Sequence, residues 1–236
     1  MLKYIKILNN LRTEITQGVL PENHQLPFEK DLCEKYNVSK MTIKKALDIL
    51  VSEGLIVKKR GCGSFVKNLS PEDINRLIIA NHFRGVSALY SNCKVTSKLL
   101  YFEIIPTDEI TKSKLNLVPD DFVYKIIRIR YVDDIPMCIE TTFMPIEIIP
   151  GLKREHALQS IYSYIQENLN LKIQSAHRTI RVRKSTAFEQ EHLLLNKHDP
   201  IATVEQVAYL DNSSAFEYSV SIHHYDRFAF ETVIIR

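Results

Sequence analysis

The stretch NVSKMTIKKALDIL, Asn37 to Leu50, decides how the front of this 236-residue chain is read. Ser39 stands directly before an apolar-periodic run, where its hydroxyl can accept a free N–H of a first helical turn. Ile43, Ala46, Leu47, Leu50 and Val51 then fall at three- and four-residue spacings and make one buried stripe. Lys40, Thr42, Lys44 and Lys45 occupy the other faces. Two readings follow: the lysines are the solvated decoration of a surface helix, or they face phosphates and base edges.

The neighbouring sequence separates the two. Upstream, Tyr4, Ile7, Leu8, Leu11 and Ile15 form a first helical stripe, which Gly18 ends. Leu20–Pro27 holds two prolines and no periodicity, so it is a loop, and a short helix is expected from Phe28 to Tyr36 with Leu32 and Cys33 inward. Downstream, EGLIVKKRGCGSFVK predicts strands at Leu55–Lys59 and Ser64–Lys67 around a Gly61-Cys62-Gly63 turn. The tip of this hairpin carries Lys58, Lys59 and Arg60. Three helices followed by a basic hairpin make a winged helix-turn-helix, whose third helix presents its N-terminal residues to a major groove.

Charge agrees with that reading. Residues 1–70 carry a net +5, and the remainder a net −2, within an overall +3. A basic head on a slightly acidic body is an electrostatic footprint of nucleic-acid binding. No apolar run approaches the ~18 residues of a membrane span, and no secretory leader is legible, so a cytoplasmic location is expected. Cysteines 33, 62, 93 and 138 stand far apart, without zinc spacing, and are read as free thiols of a reducing compartment.

Ser70-Pro71-Glu72-Asp73 reads as a capped helix start, and residues 69–84 as a linker between a head at 1–68 and a body at 85–236. In the body, six segments rich in β-branched and aromatic residues begin near Ser97, Asp121, Pro136, Gln174, Ile201 and Phe216. Helices are expected near Ser160–Asn168 and Ala187–Leu194, which gives an α+β domain with a largely antiparallel sheet. Within VYKIIRIRYV, Arg128 and Arg130 share one strand face among apolar neighbours. Buried guanidinium groups need partners: either an anionic ligand gripped by the planar fork or carboxylates of the protein. Glu140 would lie opposite Arg128 if the intervening loop were Asp133–Ile135, and would point away with a two-residue loop. Ser160 serves as a helix cap or as an anion contact. Adjacent His223 and His224 point to opposite faces of a strand, so they do not chelate together and no metal is expected.

The front end resembles the GntR family of bacterial winged-helix repressors, on Tyr4, Ile15, Gly18, Leu26-Pro27, Glu29, Leu32, Tyr36, Val38-Ser39-Lys40, Thr42, Ala46-Leu47, Glu53-Gly54-Leu55-Ile56 and Gly61 to Val66. The back end resembles the UTRA effector domain of the HutC branch, with its chorismate-lyase-like fold. It matches at Tyr124, Arg128-Ile129-Arg130, Asp133, Pro136, Glu140, Pro145, Pro150-Gly151-Leu152, Ser160-Ile161-Tyr162, Glu217 and Arg227-Phe228. Residues 68–94 match poorly. The family has Ser or Thr where Phe28 stands, and Arg where Lys40 and Lys44 stand. Lysine keeps a phosphate contact but lacks the bidentate fork for guanine, so the operator is expected to depart from the family's common consensus.

The resemblance implies a repressor that binds a palindromic operator as a homodimer and is released by a small anionic metabolite, with a sugar phosphate favoured over other organic acids. It implies DNA contacts at Lys30, Ser39, Lys40, Thr42, Lys44, Lys59, Arg60, Gly61, Gly63 and Ser64. Effector contacts are implied at Arg128, Arg130, Glu140, Ser160 and Tyr162, with Ser87, Glu217 and Tyr225 as further candidates and core packing an equal reading for the last two. No cofactor is implied. An enzyme is the first rival, on the chorismate-lyase-like fold, but no nucleophile elbow, metal motif or carboxylate pair at a persuasive spacing supports it. The second rival is a DNA binder without an effector.

Overall fold

The computed structural model describes residues 2–69, 90, 93–230 and 232. The predicted linker from Ser70 onward and the candidate Ser87 lie outside the described residues. The chain divides into two compact units, the first holding the described residues up to 69 with Phe230 and Thr232, and the second those from 90 to 229.

In the first unit, helices α1 (Lys3–Thr16), α2 (Glu29–Tyr36) and α3 (Lys40–Ser52) precede a hairpin of β1 (Ile56–Lys59) and β2 (Gly63–Val66). The apolar stripes meet as expected: Ile7, Leu8, Leu11 and Ile15 of α1 pack with Ile43, Ala46, Leu47 and Leu50 of α3, closed by Leu32, Leu55, Ile56 and Val66. Ser39 caps α3, its Oγ accepting from the Thr42 N–H at 3.3 Å. The short turn before it is made by Asn37, whose φ of 49° an asparagine tolerates. Arg12 of α1 donates to both oxygens of buried Glu53 behind α3. Together these fix the angle at which α3 leaves its N-terminus exposed.

The second unit is one antiparallel six-stranded sheet in the order β3-β4-β5-β8-β7-β6. Its strands are β3 (Val95–Pro106), β4 (Phe122–Val132), β5 (Ile135–Pro145), β6 (Ile173–Lys184), β7 (Pro200–Leu210) and β8 (Ala215–His224). Two helices the sequence left unread are present, α4 (Glu109–Leu115) and α5 (Arg154–Leu158). The helix expected near Ser160 is a short α6 (Ile161–Ser163) running into a π-helical turn at Tyr164–Asn168, and α7 is Ala187–Leu193. The segment α5–α6 covers one end of one sheet face, burying Ala157, Ile161 and Ile165 against Tyr124, Ile126, Met144 and Ala208. Leu193 of α7 packs with Ile129 and Ile139 on the other face, where Leu115 of α4 joins Val123, Val207 and Tyr218.

The β4–β5 turn corrects both register alternatives. The loop has two residues, Asp133 and Asp134, both at positive φ. Yet Glu140 sits opposite Arg128, because Met137 is an extra residue between the pairs Arg130–Cys138 and Tyr131–Pro136. A one-residue bulge inverts the parity of everything beyond it, so the two-residue turn and the Arg128–Glu140 pairing coexist.

Candidate functional site

Strand register places one polar lattice on the face partly covered by α5 and α6. One rung reads Ser97, Arg130, Cys138, His223, Ala202 and Val182 across the six strands. The next reads Leu99, Arg128, Glu140, Ser221, Val204 and Ile180. Further along, Thr142, Ser219, Gln206 and Arg178 align, and beyond them Tyr124 pairs with Met144, and Glu217 with Ala208. The buried groups there need compensation, and the arginines and carboxylates have partners, while the Ser97 hydroxyl has no hydrogen bond among the described residues. Arg128 donates from Nε to Glu140 Oε2 at 2.7 Å and from Nη1 to the Ala157 and Gln159 carbonyls. Arg130, only 2% exposed, donates from Nη1 to the same Gln159 carbonyl at 3.2 Å. Glu217 Oε1 accepts from Gln206 Nε2 and Ser219 Oγ, both at 2.8 Å, and Arg178 Nε donates to Gln206 Oε1 at 2.6 Å.

The two carboxylates are shifted in opposite directions. Burial pushes the Glu140 carboxyl up, but the charges of Arg128 and Arg130 and the Arg128 hydrogen bond outweigh it and leave the group below its ordinary range. Burial dominates at Glu217 and raises it, despite hydrogen bonds from Ser219, Gln206 and Tyr162. Burial also lowers His223 to about 4, against the pull of Glu140. At neutral pH the lattice therefore holds two guanidinium groups against one firmly ionised carboxylate around Arg128, and a neutral imidazole beside them.

A cavity of about 480 Å³ opens at the end of this lattice. Arg130 and Ser160 line it, with His156, Ser163, Tyr164 and Glu167 from the α5–α6 segment and Tyr90 and Cys93 from the chain before β3. Ser160 does cap α6, accepting from the Ser163 N–H at 3.2 Å. Among the expected effector residues, the lattice gathers Arg128, Arg130, Glu140 and Glu217, with Tyr162 reached through Gln206. The cavity touches Arg130 and Ser160 of that set. Arg128 is engaged by a protein carboxylate, the second of the partners weighed for it. Tyr225 is not part of the cavity lining: β8 stops at His224, and Tyr225 begins a 3-10 turn, 45% exposed, its ring stacked on His224. The residue brought onto the shared face is His223, whose place was legible from strand parity.

On the first unit, Lys30, Ser39, Lys40, Lys44, Lys59, Arg60 and Gly61 are exposed and Thr42 half-buried. Ser64 is buried, and its carbonyl accepts from the Leu26 N–H. Glu29, at the start of α2, lies 3.9 Å from Lys40 Nζ and 4.0 Å from Lys58 Nζ, which brings α2, α3 and the hairpin to one place. Gly63 has a φ of 111°, and a Cβ there would stand 2.9 Å from Gln25 Nε2, so the hairpin itself requires the glycine. Met41, exposed in the first turn of α3, was missed because a lone apolar residue off the buried stripe gives no periodic signal. Among the described residues no group of three or more His, Cys, Asp or Glu is placed to hold a metal, and no helix is long and apolar enough to cross a membrane.

A winged helix-turn-helix ahead of a six-stranded antiparallel sheet has the layout of a DNA-binding transcriptional regulator. Residues 3–66 match the model for bacterial regulatory proteins of the gntR family, and residues 91–229 match the UTRA domain. The chain belongs to the GntR family of transcriptional regulators with a C-terminal UTRA domain, and it is not an enzyme. It is similar to the transcriptional regulator GmuR of Bacillus subtilis, 39% identical with each chain covered in full. It is also similar to the repressor NagR of that organism, 29% identical over 96% of this chain and 92% of NagR. Among solved structures it resembles the possible transcriptional regulator YydK of Bacillus subtilis, with a TM-score of 0.77, 28% identity and full coverage of both chains. GntR regulators bind DNA, and small-molecule effectors through the UTRA domain.

Replacing Lys40 or Lys44 with alanine is expected to weaken operator binding by about 1–3 kcal/mol if the lysine reads a base. If it holds a phosphate, the log–log salt slope should fall by about one instead. Titrations of an operator duplex at several salt concentrations distinguish the two. Unchanged affinity and slope in both variants would remove α3 as the reader.

Proposed function

We propose that the chain is a repressor that binds a palindromic operator as a homodimer and is released by a small anionic metabolite, with a sugar phosphate the favoured ligand. Residues 1–68 form the DNA-binding head, 69–84 the linker, and 85–236 the effector-binding and dimerisation domain. The observation that carries the reading is the cavity at Arg130. A buried guanidinium in its lining, with the Ser160 hydroxyl also lining it, suits a phosphate or carboxylate. The cavity is large enough for a small metabolite, and Tyr164 with Glu167 offers a ring face and an acceptor for sugar hydroxyls. Relatives carry compatible names: NagR is a repressor, and MngR of Escherichia coli is the repressor of a mannosyl-D-glycerate transport and metabolism system.

Arg128 and Glu140 act one layer behind, holding the Arg130 side of the cavity. Tyr162 and Glu217 extend the polar floor. Thermal-shift measurements across sugar phosphates, their parent sugars and organic acids test the ligand class. The reading expects stabilisation by at least one phosphorylated or carboxylated sugar and none by its neutral parent; stabilisation by neutral sugars alone would overturn it. One winged helix reads a half-site, and a two-fold dimer fits an inverted repeat. Light scattering at micromolar concentration should therefore give the mass of two chains, about 55 kDa from a 27.4 kDa monomer. A monomer with and without operator DNA would contradict the dimer.

A further inference from the structure

Phe28 stands at the N-cap of α2 with no side-chain hydrogen bond to the helix. Serine, threonine, asparagine or aspartate would supply that bond, so the aromatic residue costs helix stability. It also stands 57% exposed, and its phenyl ring gains little from water. Two local penalties at one position call for a partner outside the folded unit.

The surroundings say which. The ring lies against the hairpin, its Cε1 3.5 Å from where a Cβ on Gly63 would stand. The next residue, Glu29, contacts Lys40 at the start of α3 and Lys58 in β1. Exposed Lys59 and Arg60 follow at the hairpin tip. Phe28 therefore sits where the N-terminus of the third helix and the hairpin converge, an apolar surface rimmed by cations. Two carboxylates stand there, Glu29 and Asp48, and each has a lysine partner: Lys58 Nζ lies 2.6 Å from Asp48 Oδ1, and Lys40 lies 3.9 Å from Glu29, so Lys59 and Arg60 at the tip supply the net positive charge. A protein partner with an acidic surface would satisfy the lysines, but the glycine-bearing hairpin and the capped helix N-terminus are shaped for a polyanionic duplex.

We propose that Phe28 is an operator-contacting residue that packs its ring on the apolar part of the DNA, a deoxyribose edge or a thymine methyl group, between the groove read by α3 and the backbone held by the hairpin. Phenylalanine against a thymine methyl is an established apolar contact. The inference rests on the DNA-binding reading above and deepens it at one side chain.

The test is Phe28→Ser in the full chain, with Lys40→Ala as a parallel control. The probe is a labelled duplex recovered by selection with the wild-type protein. Serine restores a helix cap, so thermal stability should hold or rise while operator affinity falls roughly tenfold, the equivalent of leaving half a phenyl ring unburied. The salt slope should not change, because Phe28 neutralises no phosphate. Phe28→Leu should recover part of the affinity. Wild-type affinity in Phe28→Ser, with Lys40→Ala weakened, would overturn this inference and leave the DNA-binding reading standing. Parallel losses of stability and affinity would assign the ring to supporting the hairpin and equally overturn it. Unchanged binding in Lys40→Ala as well would instead sink the broader reading of this face.

Discussion

Arg130→Ala is expected to hold its operator at wild-type affinity and to ignore the effector. The side chain lies in the second unit and lines the cavity, so the DNA-binding surface keeps all its cations. Its Nη1 spends one hydrogen bond on the Gln159 carbonyl, at the turn that leads into Ser160 and α6. An anion joining Arg130 and Ser160 would engage both sides of that turn. Removing the guanidinium takes away the charge-assisted bond to that anion, which roughly doubles the strength of an ordinary one. The variant should show no effector-dependent thermal shift and no effector-dependent loss of operator. Arg130→Lys should rescue poorly, because an ammonium lacks the planar fork. Release of DNA by Arg130→Ala at the wild-type effector concentration would make the arginine structural and place the anion elsewhere.

Arg128→Ala should behave differently, and here the structure revises the expectation of equal roles for the two arginines. Arg128 is paired with Glu140 at 2.7 Å and ties two carbonyls of the α5 segment. Alanine would leave a largely buried carboxylate with the charge of Arg130 and a weak Cys138 Sγ–H contact at 4.0 Å to compensate it, at a cost of about 3–5 kcal/mol. Denaturant unfolding should show that loss at neutral pH. The gap should narrow on acidification: the depressed Glu140 contributes stability above the ordinary carboxylate range, and that contribution is lost as pH falls through its lowered folded value. A double variant, Arg128→Met with Glu140→Leu, should recover much of the stability, since apolar replacement of a buried pair is often close to neutral. If the single variant unfolds like wild type, the pair is not the anchor of the cavity wall.

Much of this was readable from the amino-acid order, and the misses have physical causes. The stripes at Ile7–Ile15 and Ile43–Leu50 are long and periodic, and the six strands are rich in residues that suit a pleated surface, so both units emerged with their elements in place. The Met137 bulge did not, because alternation carries no mark where one residue is extra. Helix α4 escaped because EITKSKL buries only Thr111 and Leu115. Its signals are the Asp108 cap and the left-handed Asn116, which flank it rather than fill it. Tyr225 came from the family resemblance alone, and strand β8 ends one residue before it. The cavity itself is assembled from β3, β4 and the α5–α6 segment, far apart in the chain, and no local pattern announces such a meeting.

The most direct measurement is fluorescence anisotropy of a labelled, selected operator duplex bound to the full chain, titrated at constant ionic strength with sugar phosphates and with their neutral parents. The account predicts that at least one sugar phosphate lowers the anisotropy to that of free DNA, that its parent sugar does not, and that Arg130→Ala abolishes the response. Release by the neutral sugar to the same extent, or the same release from Arg130→Ala, would contradict the claim that an anion held at Arg130 controls the operator.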